Sequence, residues 1–207
     1  MVATRNLLLP IAAAFVMGFG LSVAVAQTTK GAPPPSTTVN ADDPFGEQVT
    51  MPEMTIVYVT GSGQWDNAYE TIVAAFKRVN GALAKAGVKP AGAPMTIYTE
   101  TNDTGFKFQA AVPVKEPPPL PAEGEIKAGK SPGGLALKFV HRGSYDAMDT
   151  TYEAITDHLE ERKLEAKELF IEQYMKDPVT TPDDELVIDI YVPLKGDAGA
   201  AVGQKGP

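Results

Sequence analysis

Residues 80 positions apart in this chain repeatedly match in type, which points to a fold in which two similar units pack side by side. Gly63-x-Trp65-Asp66 is answered by Gly143-x-Tyr145-Asp146. Each run places a glycine turn, an aromatic and an acid at the start of a helical pattern, where the carboxylate suits the positive end of the helix dipole. Behind these starts Ala68, Ile72, Ala75 and Val79 recur at helical spacing, and Met148, Tyr152, Ile155 and Leu159 hold the same register. The pattern predicts two helices, each burying one stripe.

Phe106, Phe108, Ala110 and Val112 alternate with Lys107, Gln109 and Ala111, and the partner segment runs Leu186, Ile188, Ile190 and Val192. A period of two marks a half-buried strand. Both strands end in the same way, Val112-Pro113-Val114 and Val192-Pro193-Leu194, with a proline that has no amide hydrogen for a ladder. Further strands are expected over 55–60 and 135–141 before the helices and over 95–100 and 169–174 after them. Short strands near 47–51 and 125–130 are expected to pair with the strand that follows each. Pro117, Pro118, Pro119 and Pro121 make a stiff linker, so unit one runs 45–115 and unit two 122–194. The fold class read from this is α+β, duplicated strand-helix-strand-strand units forming one pseudo-twofold domain with an antiparallel sheet and two main helices. A cleft where the units meet is a natural ligand site.

A composition of 43% hydrophobic and 21% charged residues over 207 positions is that of a soluble globular protein. The absence of cysteine excludes disulfides and thiolate metal sites. A net charge of −8 with scattered Lys and Arg argues against a nucleic-acid partner. Arg5, Leu7-Leu8-Leu9, an apolar stretch to Val25 and Ala24-Val25-Ala26 before Gln27 read as a signal peptide over 1–26, and hence as export to the periplasm. The rival is an uncleaved membrane anchor facing the same side, since the run is long enough to approach a bilayer's thickness. Residues 27–44 read as a flexible tether and 195–207 as a disordered tail.

Within 45–194, His141-Arg142-Gly143-Ser144-Tyr145-Asp146, the helix ending near Arg162, Phe170-Ile171-Glu172-Gln173-Tyr174 with Asp177-Pro178, and Ile190-Tyr191-Val192-Pro193-Leu194 resemble the second half of a GyrI-like domain. The same family supplies the effector-binding domains of some AraC- and MerR-type regulators. Gly61 to Trp65, Ile97-Tyr98 and Val112-Pro113-Val114 resemble its first half. The resemblance implies two strand-helix-strand-strand units around a pocket for bulky, often aromatic or cationic molecules, with a glutamate at its base. That glutamate corresponds to Glu172. Family regulators carry a DNA-binding module, and this sequence shows no helix-turn-helix pattern. Ser144 stands where the family often has proline, a change that a helix cap tolerates.

Tyr174 and Phe170 share the strand face of Glu172, and Tyr98 has matching parity on the corresponding strand of unit one. Carboxylate and rings together suit a cation through charge and cation-π attraction. The plain alternative is that Leu169 and Ile171 face the core and Glu172 points to water. Trp65, Tyr145 and Tyr152 either line the cleft or belong to the helix core. His141 and His158 are the only histidines. Heme-associated SOUL proteins share this general architecture, but no second ligand stands at metal spacing, so no metal and no cofactor is expected. His141 is expected to make a structural hydrogen bond. Three functional readings remain open. The first is an exported protein that binds a small hydrophobic or cationic ligand. The second is a hydrolase of reactive cyclopropane-type toxins, a reaction the family also offers, with Glu172 as general base. The third is an envelope interaction module whose cleft is vestigial.

Overall fold

The computed structural model describes residues 44–121 and 123–195. The expected signal peptide, tether up to residue 43 and tail from residue 196 lie outside the described residues. One element order occurs twice. The first run is β1 (Phe45–Met51), β2 (Thr55–Gln64), α1 (Ala68–Ala86), β3 (Met95–Asn102) and β4 (Gly105–Pro113). The second is β5 (Ile126–Lys130), β6 (Gly134–Arg142), α2 (Met148–Arg162), β7 (Phe170–Tyr174) and β8 (Val187–Pro193). All strands join in one antiparallel sheet of order β1-β6-β8-β7-β3-β4-β2-β5, so the fold is α+β with two main helices.

The outer strands correct one expectation. β1 pairs with β6 and β5 pairs with β2, so each short strand joins the other run rather than the strand that follows it. Pro52, with no amide hydrogen to continue the ladder, follows the last residue of β1, and the connection Pro52–Met54 crosses toward the far end of the sheet. The crossing determines the shape of the sheet. β1 and β2 stand six places apart in the strand order, about 29 Å in a flat sheet. Only Pro52–Met54 connects them, a reach of about 14 Å. The sheet therefore bends until its two ends meet at a corner. There the second connection, from β5 to β6, exchanges hydrogen bonds with the first, Met54 N to Ser131 Oγ at 2.9 Å and Ser131 N to Met54 O at 2.8 Å.

The bend gives the sheet two apolar faces. On the side away from the helices, Met51, Ile56, Met95, Ile97, Ala111, Ala136 and Ile171 are buried as one cluster with Met54, Tyr58, Leu169 and Tyr191 packed on it. No helix among the described residues belongs to that cluster, so the curved sheet supplies its own cover. The helix side holds the larger core. α1 has 19 residues and buries Ile72, Ala75, Phe76, Val79 and Leu83 against β2 and β4. α2 has 15 residues and buries only Met148, Thr151 and Ile155, approaching β6.

Gly63 and Gly143 differ in conformation. Gly143 has φ 102 and makes the expected turn after β6. Gly63 instead lies inside β2, paired with Phe106, because the tight β3–β4 hairpin lets β2 run on to Gln64. In both runs a single 3-10 turn, Trp65–Asn67 or Tyr145–Ala147, leads into the helix. Pro113 and Pro193 each end their strand, and their carbonyls accept from Ala91 N at 2.7 Å and Lys167 N at 2.8 Å, which ties the segment after each helix to the sheet.

A Cβ added at Gly105 would lie 2.3 Å from the carbonyl oxygen of Gly63 in the neighbouring strand, whereas one added at Gly81 on α1 would meet nothing within 4 Å. Gly105→Ala is expected to destabilise the fold by about 1–3 kcal/mol. Gly81→Ala is expected to stabilise it by about 0.5–1 kcal/mol. Urea unfolding of the two variants checks both, and equal midpoints would contradict the close strand approach at Gly105.

Candidate functional site

The register across the middle of the sheet places the acid. Thr96 of β3 stands opposite Glu172 of β7, Tyr98 opposite Phe170, and Ile190 of β8 flanks Glu172 on the other side. Phe170, Glu172 and Tyr174 point to the helix side by strand alternation. Glu172 is 0% exposed, so the reading in which it points to water is excluded.

Its carboxylate is surrounded by phenols. Tyr152 donates to Oε1 at 2.9 Å and Tyr174 to Oε2 at 2.9 Å. Tyr145 lies 3.1 Å from Oε2 and 3.3 Å from Oε1, and Tyr98 lies 3.2 Å from Oε2. The Tyr98 and Tyr145 hydroxyls are 2.7 Å apart. A phenol has one proton to give, so when these two bond each other only one of them donates to the acid. Thr96 Oγ1 completes the chain, donating to the Tyr174 hydroxyl at 3.5 Å. Burial pushes the Glu172 carboxyl above the ordinary carboxylate range, and hydrogen bonds from Tyr152, Tyr174, Tyr145 and Tyr98 oppose the rise. Burial, reinforced by the charge of Glu172, holds all four phenols well above the usual tyrosine value, so they remain donors.

Above the tyrosines opens a cleft of about 1020 Å³ between the start of α1 and the length of α2. It exists because the two helices pack unequally. Phe76 of α1 fills the core down to Tyr174, with ring centroids 5.4 Å apart, whereas α2 leaves Tyr152, Thr156 and Leu159 only half-buried. Tyr98, Tyr145 and Tyr152 line this cleft, and every charged residue on its wall is acidic, including Asp66, Asp149, Glu153 and Asp183. Glu172 and Tyr174 are not on the wall but behind it.

The proposed site residues thus occupy two layers. Glu172, Tyr174, Tyr98, Tyr145 and Tyr152 form one hydrogen-bonded group, Phe170 packs edge-on against Tyr152 at 5.9 Å, and Trp65 stacks on Tyr98 at 6.3 Å. Trp65 is fixed by donating Nε1–H to Asn102 O at 2.8 Å.

Sequence reasoning missed Tyr69 and Asp183. Tyr69 stacks on Tyr145 at 5.1 Å and donates to Pro178 O at 3.1 Å, and Asp183 accepts from Tyr145 N at 3.1 Å and from the Ser144 hydroxyl. Tyr69 lies beside the apolar stripe of α1 rather than in it. Asp183 sits in a loop whose approach to Tyr145 is purely tertiary. His141 is buried with Nδ1 2.7 Å from Thr151 Oγ1 and Nε2 3.0 Å from Ser144 O, and burial lowers its pKa.

Chemically, the arrangement offers a buried carboxyl group hydrogen-bonded by phenols and sheathed in aromatic rings, with burial favouring its neutral form. Among the described residues no group of His, Cys, Asp and Glu is placed to hold a metal ion. For Glu172 to act as a base on water, the phenols that separate it from the cleft would first have to move aside, because none of its surface is exposed.

Solved structures with this fold have different described roles. The EcmrR C-terminal domain aligns with TM-score 0.60 at 16% identity, covering 72% of this chain and 96% of that one. In the EcmrR–DNA complex the alignment has TM-score 0.60 at 17% identity and covers 72% of this chain, but only 56% of the EcmrR chain. SAV2435 bound to tetraphenylphosphonium aligns with TM-score 0.52 at 15% identity, covering 74% of this chain and 95% of that one. A hydrolase encoded by lin2189 from Listeria innocua aligns with TM-score 0.52 at 13% identity, covering 73% and 93%. At such identities these likenesses establish the fold alone. A search of curated proteins by sequence finds no match. Residues 47–195 match the family described as the GyrI-like small molecule binding domain, which spans both runs of strands and the whole tyrosine cluster, and the chain belongs to that family.

Proposed function

We propose that this protein is exported and binds a hydrophobic organic cation in the cleft between α1 and α2. The observation that carries the reading is Glu172, fully buried among tyrosine hydroxyls beneath a cleft whose charged wall residues are all acidic. A buried carboxylate is costly unless it is paired or hydrogen-bonded. The phenols supply hydrogen bonds but no positive charge, so its charge remains to be matched by a ligand. The Tyr98, Tyr145 and Tyr152 rings line the cleft and offer cation-π faces to that ligand. The tetraphenylphosphonium held by SAV2435, a protein of the same fold, has this chemistry. Export rests on the signal-like residues 1–26.

Trp65 is the only tryptophan and lies on the cleft, so its fluorescence reports occupancy. Titration with tetraphenylphosphonium should change Trp65 emission saturably, while neutral triphenylphosphine oxide should bind more weakly. Glu172→Gln should weaken the cation by about tenfold to a hundredfold and leave the neutral compound unaffected. Equal affinity of wild type and Glu172→Gln for the cation would remove Glu172 from the mechanism.

The raised carboxyl pKa gives a pH dependence with a definite sign. Folding holds the Glu172 proton to higher pH than the unfolded chain does, so Glu172 makes the fold less stable as pH rises from the ordinary carboxylate range through its raised value. Cation binding needs the ionised acid, so affinity should increase across that same window, with protons released on binding. Calorimetry in buffers of different ionisation enthalpy measures the release. An identical pH slope in Glu172→Gln would count against the assignment.

Expression in a Gram-negative host with its periplasm collected separately should yield a protein whose mass begins at Gln27. Recovery from the membrane with residues 1–26 retained would replace export in soluble form by anchoring.

A further inference from the structure

We infer that the cleft is shaped for a cationic amphiphile, an organic cation bearing an unbranched alkyl chain, with its head over the tyrosines and its chain in an aliphatic slot beneath the second half of α2. The inference rests on the cation reading above and assigns the rest of the ligand.

The wall of the cleft changes character along its length. Toward α1 it carries Trp65, Tyr98 and Tyr145 with the acids Asp66 and Asp183. Past the Tyr152 ring it is formed by Ile155, Leu159, Leu164, Ala166 and Phe170. Tyr152 is the divider, with its hydroxyl on Glu172 at 2.9 Å and its ring edge-on to Phe170 at 5.9 Å.

The slot follows from how α2 ends. Lys163 takes the left-handed conformation at φ 55, and the chain turns back with Leu164 N donating to Leu159 O at 2.9 Å and Lys163 N to Glu160 O at 3.1 Å. This double closure normally brings the residue after the turn against the last helical turn, and here both residues are leucines. Ala166 then pairs with Leu194 to rejoin the sheet, presenting a small side chain where a larger one would close the slot. Under α1 the corresponding space is filled by Phe76, Val79 and Leu83, all buried.

Leu159, Leu164 and Phe170 are therefore half-buried around space that apolar matter can occupy. The slot has little to recognise a polar tail, because its one hydroxyl, on Thr156, already donates to Tyr152 O at 2.9 Å. Asp157 and Glu160 at its rim disfavour an anionic tail. A fatty-acid anion is thus excluded, and an alkyl cation fits at both ends.

The test is isothermal calorimetry of the full chain with alkyltrimethylammonium ions from butyl to decyl, each below its micellar concentration, beside tetraphenylphosphonium and decanoate. Affinity should tighten about two- to fourfold per added methylene until the slot is full, and decanoate should not bind. Leu159→Gln and Ala166→Leu should flatten that series while leaving tetraphenylphosphonium within about twofold of wild type. Should Leu159→Gln fail to fold by circular dichroism, Ala166→Leu, which fills the slot, carries the comparison. A flat wild-type series with tetraphenylphosphonium binding intact would overturn the slot and spare the cation reading, whereas no binding of either cation would overturn both. An unchanged slope in the folded variants would also overturn the slot.

Discussion

Two three-residue connections that cross at one corner govern the shape of this protein. Met51 and Thr55 belong to strands far apart in the sheet order, yet the chain between them is short, so the sheet must bend until its ends meet. The hydrogen bonds between Met54 and Ser131 hold that corner. The crossing has two consequences. The face away from the helices closes on itself and buries Ile56, Ile97 and Ile171 without a third layer. Each run also lends its first strand to the other, so the two halves fold as one sheet centred on the β3–β7 pair, and that centre is where Thr96, Tyr98 and Glu172 meet.

With the sheet shared, the difference between the halves is concentrated in the helices. α1 seals its side of the core with Phe76 and its neighbours, and the shorter α2 does not. Extra apolar residues on α2 would add to stability at roughly 25 cal/mol for each Å² they buried. Their absence is what leaves a cleft over the tyrosine cluster. The cleft and the buried acid both run against maximal stability, one by omitting core and the other by desolvating a charge. Their coincidence at one place is the pattern expected where local rules yield to function.

Much of the fold was legible in the sequence because it rests on periodicity. The α1 stripe Ile72, Ala75 and Val79 and the strand running through Ile188, Ile190 and Val192 report burial directly, whereas the matching α2 stripe marks the inward face but overstates its burial, since Tyr152 and Leu159 are only half-buried. The partners of β1 and β5 were not legible, since short strands of mixed polarity carry no signal for which edge they join and the bend is a property of the whole sheet. The site was legible only in part. Parity placed Phe170, Glu172 and Tyr174 on one face, and the family resemblance drew attention to the acid. The convergence of tyrosines from β3, β7, the 3-10 turn before α2 and α2 itself is tertiary, as are the supports that Asp183 and Tyr69 give Tyr145. The sequence also led toward a glutamate open to the pocket, whereas the phenols stand between Glu172 and the cleft.

That last difference bears on how the site recognises anything. An arginine or lysine beside Glu172 would satisfy its hydrogen bonds and also cancel its charge, leaving a ligand nothing to gain. Phenols satisfy the oxygens while the net charge stays, and each hydrogen bond from a tyrosine to the carboxylate enriches the ring of that tyrosine in electron density. The faces of Tyr98, Tyr145 and Tyr152 then carry part of the influence of the acid to the cleft surface. The low dielectric of the buried cluster lets the field reach that surface with less screening than it would meet in water. In the proposed reading, a carboxylate with no exposed atom determines the sign of what fills the cleft in this way, and the slot beneath α2 determines its length.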